Sequence, residues 1–151
     1  MLSWLEAGFF LIQEVWIVKD GVPIFQHRED SQKLFKNPTL TAGLLSAMLQ
    51  VAKSELNERV HTIKIGSLQI VLKEFGGIIT ITIGDDENEA KILAERAGSE
   101  FLKIYGSSLD SWDGDVKAFE SFRSHLINLI RRREIYRAEL ENDLKSILTE
   151  S

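Results

Sequence analysis

Trp16-Ile17-Val18-Lys19-Asp20-Gly21-Val22-Pro23-Ile24-Phe25 is the stretch on which the reading of the fold turns. An apolar run ends at Asp20-Gly21, a pair that tolerates positive φ and closes a two-residue hairpin. The run extends back to Phe9. Phe10, Ile12, Trp16 and Val18 take one side and Phe9, Leu11, Val15 and Ile17 the other, interrupted by Gln13 and Glu14. A strand apolar on both sides belongs at the centre of a sheet with both faces covered. The return strand, Val22 to His27, contains Pro23, which has no N–H for a ladder and places that strand on an edge.

Downstream, Asn37-Pro38 reads as an N-cap followed by proline at the first helical position. A helix is expected from Pro38 to Leu56, with Leu40, Leu44, Ala47, Met48 and Val51 as its buried stripe. Gly43 would let it approach the sheet closely. Leu45 and Leu49 fall off the centre of that stripe: a wide buried face accounts for them, and candidate partner contacts are the alternative. Three short strands follow: Val60 to Ile65, Leu68 to Phe75 and Ile78 to Ile83, separated by Gly66-Ser67 and Gly76-Gly77. Ile79, Ile81 and Ile83 face one way and Ile78, Thr80 and Thr82 the other, so this strand is also central. Asp85, Asp86, Glu87 and Glu89 suit a helix N-terminus. That helix runs to Tyr105, with Ala90, Leu93, Ala94, Ala97, Phe101, Ile104 and Tyr105 apolar and Gly98 marking close packing.

After a linker from Gly106 to Asp115, a third helix begins near Asp115 with Phe119, Phe122, Leu126, Leu129 and Ile130 inward. Its pattern continues through Ile135, Tyr136, Leu140, Leu144, Ile147 and Leu148 with no Gly or Pro, as one long helix or a broken pair. The order β-β-α-β-β-β-α-α predicts an α+β fold. Its five-stranded antiparallel sheet has strand order 2-1-5-4-3, one helix on one face and two on the other, and a helical C-terminal extension. The expected division is a domain over 1–130 and an amphipathic extension over 131–151.

The 151 residues fit one domain large enough to bury a core without staples. The absence of cysteine excludes a disulfide framework, Cys-ligated zinc, an iron–sulfur cluster and a thiol nucleophile. A net charge of −5 argues against broad nucleic-acid binding. The charge is uneven: residues 1–115 carry 11 Lys/Arg against 17 Asp/Glu, whereas residues 116–151 carry 7 against 6. The longest apolar runs are far short of the ~20 residues of a spanning helix. Glu6, with no basic residue before the apolar run, does not read as a secretory signal.

The text Trp16-x-x-x-Asp20-Gly21-x-Pro23-Ile24-Phe25 resembles a longin domain of the roadblock/longin superfamily. So do Phe101-Leu102-x-x-Tyr105, Leu109-x-x-Trp112-x-Gly114-Asp115 and Phe119-x-x-Phe122. The resemblance covers residues 8–130. It implies a non-enzymatic, cytoplasmic module of vesicle trafficking and small-GTPase regulation, of the kind found in SNARE proteins, adaptor small subunits, transport-particle subunits and exchange-factor complexes. Such modules pair through the crossover helix and the third-strand edge. The ~20 residues after the domain hold no SNARE-type heptad stretch, so a stand-alone scaffold is expected. The implied partners are a small GTPase, another longin or roadblock chain, or a second copy, with peripheral membrane contact. A coat or tether subunit and a profilin-like small-molecule sensor are the alternatives.

No catalytic, metal or cofactor set emerges. Asp110, Asp113 and Asp115 lack the calcium-loop spacing and read as turn and cap residues. His27, His61 and His125 are scattered, with edge or surface places expected for each. Gly76-Gly77 is a turn, not a phosphate loop. The candidate partner contacts are Val60, Thr62, Ile63 and Lys64 on an edge protected only by Lys64, with Leu45 and Leu49 on the crossover helix. Arg131, Arg132 and Arg133 are candidates for anionic lipid, phosphate or a GTPase. Tyr136, Leu140 and Leu144 are candidates for a helical partner. At the N-terminus, Phe9 and Phe10 read as the start of the first strand and Trp4 as cover for a core rim, with a membrane interface for Trp4, Leu5, Phe9 and Phe10 as the alternative.

Overall fold

The computed structural model describes residues 12–29, 34–59 and 61–149. The expectations for Trp4, Leu5, Phe9, Phe10 and Val60 fall outside these residues. Eight principal elements follow in order: β1 (Ile12–Lys19), β2 (Val22–Arg28), α1 (Pro38–Leu56), β3 (Thr62–Ile65), β4 (Leu68–Phe75), β5 (Ile78–Gly84), α2 (Glu87–Tyr105) and α3 (Phe122–Thr149). Two single 3-10 turns, Gly106–Ser108 and Val116–Phe119, connect α2 to α3. The strands form one antiparallel sheet in the order β2-β1-β5-β4-β3, as the patterning predicts.

The β1–β2 turn takes the geometry that Asp20-Gly21 allows: both residues have positive φ, 51° and 78°. Pro23 sits on the β2 edge opposite Val18, next to a register shift at Ile17/Val18. A second shift between Ile12 and Glu14 corrects the expected alternation. The extra residue rotates Ile12 away from Trp16 and onto the face of Val15 and Ile17.

Two cores result. On one face α1 covers Trp16, Val18, Ile70, Leu72, Ile81 and Ile83. On the other, α2 and α3 cover Val15, Ile17, Ile24, Phe25, Val71 and Ile78. Helix α2 lies close to the sheet because Ala90, Ala94, Ala97 and Gly98 face it, all buried. That closeness lets two sheet threonines reach the helix backbone. Thr82 Oγ1 donates to Ala90 O at 2.7 Å and Thr80 Oγ1 to Ala94 O at 2.8 Å, which satisfies both buried hydroxyls. Helix α2 opens on Asp86, whose carboxylate accepts from Glu89 N at 3.0 Å.

The aromatics of the α2–α3 connection form one cluster. Phe101 packs edge-on to Phe122, Phe122 edge-on to Phe25, and Tyr105 edge-on to Phe119. Trp112 leans on Phe119 and donates through Nε1 to Asp115 O at 2.8 Å. Asp115 caps the second 3-10 turn, accepting from Lys117 N, rather than α3 itself. Asp113 accepts from Asp115 N, so the acidic trio serves turns, as expected for Asp113 and Asp115. Helix α3 starts at Phe122 and runs unbroken to Thr149, with Phe122, Leu126 and Ile130 buried. Beyond Ile130 no α3 residue is buried.

Candidate interaction surfaces

Helix α1 is rotated relative to the expectation. Leu45 and Leu49, the candidate partner contacts, are 5% and 3% exposed and face the sheet with Ala42 and Ala52. The expected stripe instead faces outward: Leu40, Leu44, Met48 and Val51 are 69, 60, 42 and 54% exposed. Both rows are apolar at helical spacing, so periodicity cannot choose between them. Small side chains do. Gly43 passes over the hairpin turn, where a Cβ would lie 3.8 Å from the Gly21 carbonyl oxygen. That is an ordinary contact, so the small residues that seat the helix on this side are the buried Ala42 and Ala52. Ser46 returns its hydroxyl to Ala42 O at 2.8 Å. Asn37 caps the start by accepting from Leu40 N, and Asn57 closes the end in left-handed geometry.

Strand β3 occupies the sheet edge opposite β2, and no described strand pairs with its outer side. Its side chains are already engaged. Thr62 Oγ1 donates to Glu87 Oε1 at 3.1 Å and Lys64 reaches Glu87 at 3.5 Å. Ile63 is half-buried against the α1-side core. What β3 offers outward is therefore backbone, with Ile65 exposed beside it.

The arginine run is corrected in detail. Arg131 donates to Glu29 at 3.1 and 3.4 Å and to Glu134 at 2.9 Å. Arg133 holds Glu89 in a two-pronged contact, with Nε at 3.1 Å from Oε2 and Nη2 at 2.5 Å from Oε1. Its guanidinium also lies over the Tyr136 ring, 5.0 Å from the centroid. Arg137 lies 3.7 Å from both Asp86 and Glu89. Two of the three arginines are thus committed to carboxylates of the same chain, while Arg132 is exposed. The carboxylates that hold the run, Glu29 and Glu89, lie far from it in the chain, and sequence spacing does not reveal the pairing.

About two turns of helix before the run, Arg123 donates to Gln26 O at 2.9 Å and lies 3.1 Å from His27 Nδ1. It also stacks over Phe25, 4.9 Å from the ring centroid. Beside a guanidinium, Nδ1 must accept, which leaves the His27 proton on Nε2, 3.5 Å from Glu29 Oε1. His27 is on the edge strand as expected, but it is buried.

Burial disfavours the charge on Glu29, yet bonds from His27 and Arg131 outweigh it and hold this carboxyl below its ordinary range. Glu134 goes the other way: burial raises it, reinforced by the Glu29 charge, against Arg131. On the α1 face Glu14 is buried, and that burial pushes its carboxyl up despite bonds from Trp16 Nε1 at 3.1 Å and Leu34 N at 3.3 Å.

Among the described residues, no group of three or more His, Asp or Glu side chains is placed to hold a metal ion. Likewise, no described helix is long and apolar enough to cross a membrane. Tyr136, Leu140 and Leu144 project from α3 at 52, 42 and 53% exposure. Comparison with models of known protein families finds none that matches this chain, and comparison with curated proteins finds no match.

Proposed function

We propose that this chain is a longin-type interaction module, working in the cytoplasm in membrane trafficking. It binds a small GTPase or pairs with another longin or roadblock chain, and it acts by surface complementarity rather than by catalysis. The observation that carries the reading is the outward row Leu40, Leu44, Met48 and Val51 on α1. Exposed apolar rows of this size mark protein contacts. The open backbone edge of β3 adds a second means of pairing, by extension of the sheet. The strand order and the helix distribution suit the longin resemblance of residues 8–130. The resemblance supplies the partner class.

The test mixes the purified chain with small GTPases loaded with GDP or with a non-hydrolysable GTP analogue, and measures self-association by sedimentation. Binding or dimerisation that Leu44→Asp removes is the expected result. A chain that stays monomeric and captures no GTPase in either nucleotide state, or that binds equally well with Leu44→Asp, overturns the reading.

A further inference from the structure

Helix α3 carries one line of side chains along its whole length. Phe122, Leu126 and Ile130 are on the core. The same 3–4 spacing then passes through Arg133 and Arg137, which grip Glu89 and Asp86 at the start of α2. It emerges as Leu140, Leu144 and Ile147, which are 42, 53 and 64% exposed. The line thus leaves the domain through a pair of fixed salt bridges and continues as an apolar row. A shallow depression lined by Arg137, Leu140, Glu141 and Leu144 lies on it.

The charges beside this row are acidic in excess. Glu139, Glu141 and Asp143 flank it, against Lys145, which is paired with Glu141 at 3.5 Å. Of the basic residues just before it, Arg131 is spent on Glu29 and Glu134, Arg133 on Glu89 and Arg137 on Asp86 and Glu89, and Arg132 is exposed. A second copy therefore brings acid against acid, and an anionic bilayer is repelled for the same reason. A short apolar row with an acidic rim complements an amphipathic helix whose apolar stripe is flanked by Lys and Arg.

We propose that residues 138–149 of α3 form a docking face for a cationic amphipathic helix of another protein. The clamps at Arg133 and Arg137 hold the face ready, so the partner supplies the ordering on binding. This surface is separate from the α1 row and does not depend on it.

The test titrates the full chain into two labelled synthetic peptides of about 18 residues. Both have Leu at i, i+3, i+4 and i+7, one with Lys on its flanks and one with Glu. The Lys peptide is expected to bind at least about ten-fold more tightly, with affinity falling as salt rises. Leu144→Asp should abolish binding without moving the unfolding midpoint, since the side chain is exposed. A Glu139→Lys, Asp143→Lys double variant should invert the ranking of the peptides. Equal affinity for the two peptides, binding of neither, or indifference to Leu144→Asp overturns the proposal. So does a dimer of the chain alone, or flotation with phosphatidylserine vesicles, that Leu144→Asp abolishes.

Discussion

Arg133 on α3 holds Glu89 on α2 through its Nε and Nη2, and both side chains are largely withdrawn from water, at 15% and 6% exposure. The carboxylate lies in the first turn of α2, where backbone N–H groups also favour negative charge. The arrangement ties the point where α3 leaves the core to the point where α2 begins. Removing one partner strands a charge with little water to solvate it. Arg133→Ala should therefore cost about 3 kcal/mol, measured by urea unfolding. Arg133→Met combined with Glu89→Leu should recover most of that loss. If the double variant is no better than the single, the contact is not what sets the cost.

Two neighbouring leucines on α1 should give opposite phenotypes. Leu45→Ala opens a hole under the helix and should cost about 2–4 kcal/mol. Leu44→Asp changes an exposed site and should shift stability by no more than about 0.5 kcal/mol. Thermal unfolding of the two variants side by side checks the rotation of the helix directly.

Gly98 is required by space. A Cβ there would lie 2.3 Å from the Phe75 ring and 2.9 Å from the Thr80 methyl. Gly98→Ala should destabilise by about 1–3 kcal/mol. Phe75→Leu, costly alone, should reduce that penalty in the double variant, a coupling visible in a double-mutant cycle.

Glu14 and Glu29 should shape the pH dependence of stability with opposite signs. Glu14 is raised by burial, so it binds its proton more tightly folded than unfolded. Its contribution is complete at acid pH and is lost as pH climbs from the ordinary carboxylate range through the raised value. Glu14→Gln should therefore gain on the parent as pH rises from about 4 to about 7. Glu29, held low by His27 and Arg131 against its burial, contributes above its unfolded pKa and loses that contribution as pH falls through the depressed value. Glu29→Gln should cost about 2 kcal/mol at neutral pH and little in strong acid. Denaturation across this range separates the two.

The sheet was legible because strand properties are local. Asp20-Gly21 names its turn, Pro23 names an edge, and the apolar double faces of β1 and β5 name the centre. The rotation of α1 was not legible, because Leu40, Leu44, Met48 and Val51 are as apolar as the row that is buried. The deciding fit is that of the small residues Ala42 and Ala52 against a sheet assembled from residues far apart in the chain. The phase of Ile12 failed for a similar reason, since a register shift leaves no mark on composition. The pairing of the arginine run was not legible because the carboxylates that bind it, Glu29 and Glu89, lie on β2's end and on α2. The exposed tip residues Tyr136, Leu140 and Leu144 were legible by subtraction: the core pattern continued where no core was left to receive it.

The unbroken course of α3 from Phe122 to Thr149 has a geometric meaning of its own. From Ile130, its last buried residue, to Thr149 the axis advances about 28 Å at 1.5 Å per residue. A flexible tail of equal residue count would sample every bearing, whereas this arm has one. Two molecules held by the α1 face and by the arm would thus be kept at a set separation and a set angle, like parts on a bracket.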